Sequence, residues 1–428
     1  MTRNLKTHKQ AVNELEGIME SIADLQTSKK TTWFVNRCRR LVFNLLSQLN
    51  QDNVEIVEGN DVFRFGEYSS PNSNSLSGKI VITDLSAYAD FVKGGSIGVA
   101  EAYIQNKWHS PDLTKIIRIF ARAQQLTDDI DGQKTILTKI KNSLFHFFNS
   151  NTVKGSKKNI VAHYDLGNEL YTRFLDPQMM YSSAIYPSAT ASLAQAQDFK
   201  LETICKKLEI TPQDHVIEIG TGWGGLAIYM AKNYGCQVTT TTISEEQHQY
   251  AQQAVEEAGL SDKITLLKED YRNLTGKYDK LVSIEMIEAV GFKFMPSFFK
   301  QCNQLLKPGG KLLIQSITIA DQRLEHYLNN VDFIQRYIFP GGFLPSISLL
   351  SEQLNKQTSM VMEALEDIGL DYARTLAHWR ENFLNNWAQI QPHGYDEAFK
   401  RLWLFYFAYC EGAFLERSTS TIQFVARK

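Results

Sequence analysis

The chain has 428 residues, 43% of them hydrophobic and 21% charged, with a formal net charge of −2. That length exceeds one ordinary domain, and that balance excludes a disordered or fibrous protein. A near-neutral total gives no global pull toward nucleic acid, so any attraction to an anionic surface has to be local.

The first residues, MTRNLKTHKQAVNELEG, are too polar for a secretory signal, and no apolar run reaches the roughly 20 residues of a membrane-spanning helix. A cytoplasmic setting is expected. Up to about residue 155 the texture is mainly helical, with one strand or hairpin patch in NVEIVEGNDVFRFGE and KIVITD. Two stretches there are basic and amphipathic. In SKKTTWFVNRCRRLVFNLLSQL, Trp33, Phe34, Cys38, Leu41, Val42, Leu45 and Leu49 recur at helical spacing, with Lys29, Lys30, Arg37, Arg39 and Arg40 between them. In KTILTKIKNSLFHFFNS the apolar stripe is Ile136, Leu137, Ile140, Leu144 and Phe148, flanked by Lys134, Lys139 and Lys141. Such stripes either pack on their own domain or lie on anionic lipid, and both readings are open.

The linker-like SNTVKGSKKN ends this region, so a second domain is expected over 156–428. From about Pro212 short β-branched runs (HVIEIG, QVTTTTIS, ITLLKED, KLVSIEM, KLLIQSITI) alternate with helical segments (GGLAIYMAKNYG, EEQHQYAQQAVEEAG, PSFFKQCNQLLKPGG). That alternation predicts a doubly wound α/β domain, a parallel sheet with helices on both faces. At about 320–357 an aromatic-rich segment, with LNNVDFIQRYIFPGGFLPSISLL in it, interrupts the pattern as an insertion over the sheet's ligand edge. The five cysteines are scattered without a C-x-x-C pair and the nine histidines form no ligand cluster. Neither a disulfide framework nor a metal site is expected.

The stretch VIEIGTGWGGLA carries the strongest local signal. Gly220, Gly222 and Gly225 satisfy G-x-G-x-x-G after a strand and before a helix, with Glu245 or Glu246 about twenty residues on, as a dinucleotide site requires. The same turn also reads E-x-G-x-G-x-G through Glu218 and Gly224, which suits S-adenosylmethionine (SAM). An acid at the strand end can pair with the methionine ammonium, and bare glycines let the backbone approach the nucleoside. Asp270, just beyond the third strand, can accept from the adenine amino group. The spacing favours SAM, with a dinucleotide or a purely structural turn as the other readings.

Several stretches together resemble one family, the cyclopropane-fatty-acyl-phospholipid synthases. They are GGSIGVAEAYIQNKW at Gly94, AHYDLGNELYTRFLDPQMMYSS at Ala162, IEIGTGWGGLA at Ile217, TTISEEQ at Thr241, EDYRNL at Glu269, IEMIEAVG at Ile284, RYIFPGGFLPS at Arg336 and FYFAYCEGAF at Phe405. The resemblance runs from about residue 94 onward and is loose before it. It implies a Rossmann-like SAM-dependent methyltransferase that works as a homodimer at the cytoplasmic face of a phospholipid membrane, peripherally bound and without nucleic acid. It implies methyl transfer to the cis double bond of an acyl chain, then ring closure to a cyclopropane, with a bound bicarbonate ion as base. The SAM contacts it implies are Tyr181 and Ser182, the turn with Glu218, Gly220, Gly222, Gly224 and Gly225, Thr242 through Gln247, and Asp270 with Tyr271. For bicarbonate it implies Glu288, Tyr372 and the backbone of Ile317.

Two positions depart from the family pattern: its cysteine is Ser183 here and its histidine is Gln315. Glutamine can donate a hydrogen bond to an oxyanion but carries no positive charge. The departures leave room for a methyl-branched, methylene or furan-precursor product, or for a silent SAM- or lipid-binding relative. A nicotinamide oxidoreductase is the remote alternative. Phe339, Phe343, Trp403, Phe405, Tyr406, Phe407 and Tyr409 supply aromatic faces for an acyl tunnel or core.

Overall fold

The computed structural model describes residues 29–66, 74–123 and 167–428. Contacts divide the chain into two units; of the described residues, 29–66 and 74–112 fall in the first and the rest in the second.

In the first unit, β1 (Asn53–Glu58) and β2 (Asp61–Gly66) form a hairpin closed by Gly59 and Asn60. The positive φ of Gly59, 58°, suits a two-residue turn. β3 (Ser77–Ile82) runs parallel to β1, and Trp108–His109 (β4) pairs antiparallel with β3. The sheet order is β2-β1-β3-β4, accompanied by α1 (Lys29–Leu46) and α2 (Ala87–Ile104). Among the described residues this unit joins two long helices to a small sheet, three of whose four strands fall on the strand patch read from the sequence. The phase of α1 also differs from the expected stripe. Cys38, Leu46 and the following Leu49 are buried, yet Trp33 and Leu41 are 63% and 51% exposed. Arg39 explains the rotation: its guanidinium pairs with Glu58 at 2.7 Å and lies over the rings of Phe43 and Phe63. The second basic stretch, residues 134–150, and the boundary expected near 155 lie outside the described residues.

The second unit begins with α3 (Leu113–Arg122), which the sequence reading assigned to the first region. It packs on α11 (Glu397–Leu415): Thr114 donates to Glu411 at 3.0 Å, and Arg118 and Arg122 flank Glu416. A side chain at Gly412 would meet Ile117 at 2.7 Å, so the close approach requires glycine.

Its seven-stranded sheet runs, from edge to edge, Val361–Asp367, Thr419–Arg427, Leu306–Ile319, Tyr278–Ile284, His215–Ile219, Gln237–Thr241 and Ile264–Leu267. β5 (His215–Ile219), β6 (Gln237–Thr241), β7 (Ile264–Leu267), β8 (Tyr278–Ile284) and β9 (Leu306–Ile319) are parallel, as the alternation predicts. β10 (Val361–Asp367) and β11 (Thr419–Arg427) add an antiparallel edge that was not anticipated. Neighbours along each strand point to opposite faces. Ile217, Leu281, Leu312 and Phe424 join one core with Phe298 and Phe299 of α8 (Met295–Leu305). Val216, Val282, Leu313 and Val425 join the other with α5 (Leu193–Leu208) and α6 (Gly225–Tyr234). Burial on both faces is why these strands read as continuous apolar runs. The aromatic segment folds as short turns and α9 (Ile347–Gln357), and the Phe343 N–H donates to the Glu288 carbonyl at 2.9 Å, which sets it against the carboxyl end of β8. Among the described residues no helix is long and apolar enough to cross a membrane.

Candidate active site

Strand order reverses between β5 and β8, and ligands of doubly wound sheets bind beyond the carboxyl ends of the strands at such a switch point. The glycine turn lies there. Gly220 and Gly224 have φ of 105° and 94°, left-handed values that other residues reach only with strain. A Cβ on Gly225 would sit 2.7 Å from the Gln178 carbonyl oxygen. Segment 178–183 therefore crosses directly over the start of α6, held by Asp176, whose carboxylate accepts from the N–H groups of Gln178 and Met180. Beneath the turn, buried Glu218 accepts from the Thr240 hydroxyl at 2.5 Å, and that hydroxyl lies 2.7 Å from the one on Thr221.

Burial pushes the Glu218 carboxyl up to about 8, so near neutral pH the free site keeps its proton. An arriving ammonium would expel it. SAM binding is therefore expected to release a proton and to tighten with rising pH, by at most about tenfold per unit, levelling off above the carboxyl's own titration. Calorimetry in buffers of different ionisation heat checks this, and Glu218→Gln should flatten the dependence. Proton-neutral binding in the parent would move the ammonium elsewhere.

The remaining cofactor candidates line the same edge. Thr242 donates to the Gln247 side-chain oxygen at 3.0 Å, which leaves that amide's NH2 as the group to donate. Asp270 follows β7, its carboxylate gripped by Arg272 at 2.6–2.7 Å, and the Tyr271 ring packs on Phe298. Tyr181 and Ser182 belong to the crossing segment; the Ser182 hydroxyl accepts from Lys200.

A second cluster lies at the end of β8, and its centre is a residue the sequence reading did not single out. Glu285 has φ of 49° and is partly buried, and one carboxylate oxygen accepts from the Ser183 N–H at 2.9 Å and the Gln315 amide at 2.8 Å. Its other oxygen accepts from the Tyr372 hydroxyl at 2.9 Å. Gln315 cannot flip, because its oxygen accepts from Gln423, its cross-strand partner on β11, which Lys207 holds in turn. Glu288 turns the other way: one oxygen accepts from the Ile317 N–H at 2.6 Å and the Ser316 hydroxyl at 3.0 Å. Its other oxygen is buried without a partner among the described residues. Burial and then repulsion from Glu285 push the Glu288 carboxyl up to about 8. Glu285 is raised too, by burial, against the pull of its three donors and of Lys200. Met286 links the two clusters, since a Cβ on Gly220 would meet its side chain at 3.2 Å.

The model of the mycolic acid cyclopropane synthetase family matches residues 151–424. The chain belongs to that family. It is 38% identical over 343 residues to the cyclopropane-fatty-acyl-phospholipid synthase of Escherichia coli K12, covering 77% of this chain and 83% of that one. It is 35% identical over 327 residues to a tuberculostearic acid methyltransferase of Mycobacterium tuberculosis, covering 75% and 76%. Among solved structures, the mycolic acid cyclopropane synthase CmaA1, complexed with SAH and CTAB, superposes with a TM-score of 0.60 at 27% identity, over 64% of this chain and 98% of that one. The chain is a SAM-dependent methyltransferase of lipids.

Within this synthetase fold, the groups expected around bicarbonate split into two sets. Ser183, Gln315 and Tyr372 converge on Glu285, while Ile317 converges on Glu288. Every donor expected for the ion is thus spent on a protein carboxylate. A further anion would face two acids, and the residues present do not fit one. The signal was visible in IEMIEAVG as a second acid three positions before Glu288, but nothing in the sequence brings three distant donors to it.

The aromatic candidates also separate. Tyr181 packs against Trp379 (5.2 Å between ring centres), Tyr171 and Phe339, and its hydroxyl lies 3.1 Å from that of Tyr406. Trp403, Phe405 and Phe407 are buried against Phe174, Phe333 and Phe383, and Tyr409 stacks on Phe405. Phe343 packs on Phe292 and Tyr327. Of the expected group, Phe339 and Tyr406 touch Tyr181.

Proposed function

We propose that this enzyme methylates the cis double bond of a phospholipid acyl chain and closes a cyclopropane ring, with Glu285 as the base. The observation that carries this reading is the Glu285 carboxylate itself, held on both oxygens at the ligand edge of the sheet, next to the glycine turn. The names of the relatives, a cyclopropane synthase among them, support the substrate class. When bound, SAM supplies an electrophilic methyl that takes the alkene π pair while the sulfur keeps the bonding pair, leaving a cation on the chain. Glu285 then accepts a proton from the added methyl, and the freed C–H pair closes the ring. Tyr181, Phe339 and Tyr406, packed on one another, are the aromatic groups assigned to shelter the carbocation, which requires π faces and the exclusion of water. Glu288, still protonated near neutral pH, does not compete for that proton.

A second reading follows from the same fixed carboxylate. A chain seated one carbon further along would give up a proton from the backbone carbon and leave a methylated alkene. Incubation with SAM and vesicles of a defined monounsaturated phospholipid separates the two. Both products gain one CH2, but only the ring gives upfield cyclopropane protons in NMR. A lipid that gains no mass would overturn both.

The membrane surface belongs to the same proposal. One stripe of α1 exposes Trp33, Arg37, Arg40 and Leu41, the pairing of apolar and cationic groups that an anionic bilayer binds. Arg37→Gln with Arg40→Gln should weaken sedimentation with anionic vesicles at low salt by about 1 kcal/mol per charge. Binding indifferent to charge and salt would remove α1 from the contact.

A further inference from the structure

We infer that Lys200 is the counter-charge of Glu285 and a positioning residue for it, acting through Ser182 and Ser183; this rests on Glu285 as the base. α5 starts at a capping box in which Ser192 and Gln195 satisfy each other's backbone N–H, so its register is fixed. Two side chains one turn apart on that helix, Gln197 and Lys200, are fully buried. The Gln197 amide donates to the Ser182 carbonyl at 3.0 Å, and the Lys200 ammonium donates to the Ser182 hydroxyl at 2.8 Å. The next backbone N–H, that of Ser183, is the one that donates to Glu285. The helix therefore grips the residue before the donor.

The electrostatics point the same way. Among the described residues no carboxylate lies within ion-pair distance of Lys200, and its one hydrogen bond goes to a neutral hydroxyl. An ammonium in that setting costs several kcal/mol, which packing alone does not justify, since methionine would fill the same space. Two acids act on it from a distance, Glu285 just after β8 and Asp176 just before the crossing segment. Asp176 is already satisfied by two backbone N–H groups, which leaves Glu285 as the acid whose ionised form Lys200 favours. Burial pulls its own titration down to about 8, with those two acids holding it up.

The test is Lys200→Met, read in two ways. In the ligand-free protein labelled with carboxyl-13C glutamate, the Glu285 resonance, assigned by its loss in Glu285→Gln, should titrate about one pH unit or more higher than in the parent. The acid limb of the pH–rate profile should move up by the same amount, with a lowered kcat left at high pH by the lost Ser182 link. Ser182→Ala keeps the charge and removes the link, so it should lower kcat without moving the titration. Should the methionine variant not fold, Lys200→Gln is read the same way. A uniform loss of rate with an unmoved titration, or an equal shift in Ser182→Ala, overturns the inference. An active Glu285→Gln would instead overturn the base assignment and leave the titration result standing.

Discussion

Glu285→Gln should lower methyl transfer to the acyl chain about a thousandfold, within the usual range for loss of a general base, while SAM affinity changes little. The amide oxygen can still accept from Ser183 and Gln315, so the cradle keeps its shape; what is lost is the ability to take a proton. For the same reason the parent's rate should not respond when bicarbonate is stripped from the buffer or added back. Product formation measured by mass spectrometry with and without bicarbonate checks both halves. A rate that climbs with bicarbonate, or a glutamine variant that stays active, would return the role of base to a small anion.

The second large effect is on stability. Glu288 holds its proton in the folded protein up to about 8, whereas an exposed glutamate ionises near 4.5. A group raised in this way gives its full stabilisation below the unfolded value, and the benefit is lost as pH climbs through the folded one. Glu288→Gln, which mimics the protonated acid against Ile317 and Ser316, should therefore be more stable than the parent at pH 8. The gap should close toward pH 5. The expected difference is on the order of 2–4 kcal/mol, less than the full shift because the residue is partly exposed. Glu218 titrates in the same sense in both proteins and cancels from the comparison. Thermal unfolding of the ligand-free proteins across that range measures it; parallel curves would mean that Glu288 is ionised throughout.

The five parallel strands were legible because each is a β-branched run between turn signals, separated by helices of the right length. β10 and β11 were not. VMEALED is acidic and largely exposed, and TSTIQFVAR follows an aromatic helix and pairs antiparallel, so no crossover announces it. The glycine turn was readable because positive φ selects residue type directly. Glu285 was not, since its partners Ser183, Gln315 and Tyr372 lie 102, 30 and 87 residues away, in a loop, a strand and a helix that only the tertiary fold gathers. In α1 the period was right and the phase was displaced, because one arginine found an acid and two rings to lie against.

The backbone at Glu285 carries a consequence for how such sites evolve. Its φ of 49° is a conformation that glycine adopts freely and glutamate only at a cost. Exchange to glycine would relieve the backbone and leave a hollow the size of a carboxylate, still rimmed by the Ser183 N–H, the Gln315 amide and the Tyr372 hydroxyl. A small anion from solution could then settle there, at the entropic cost of capture that a tethered group avoids. An enzyme that carries its base and one that borrows it thus stand a single substitution apart, on the same scaffold, and lineages can pass between them without rebuilding the site.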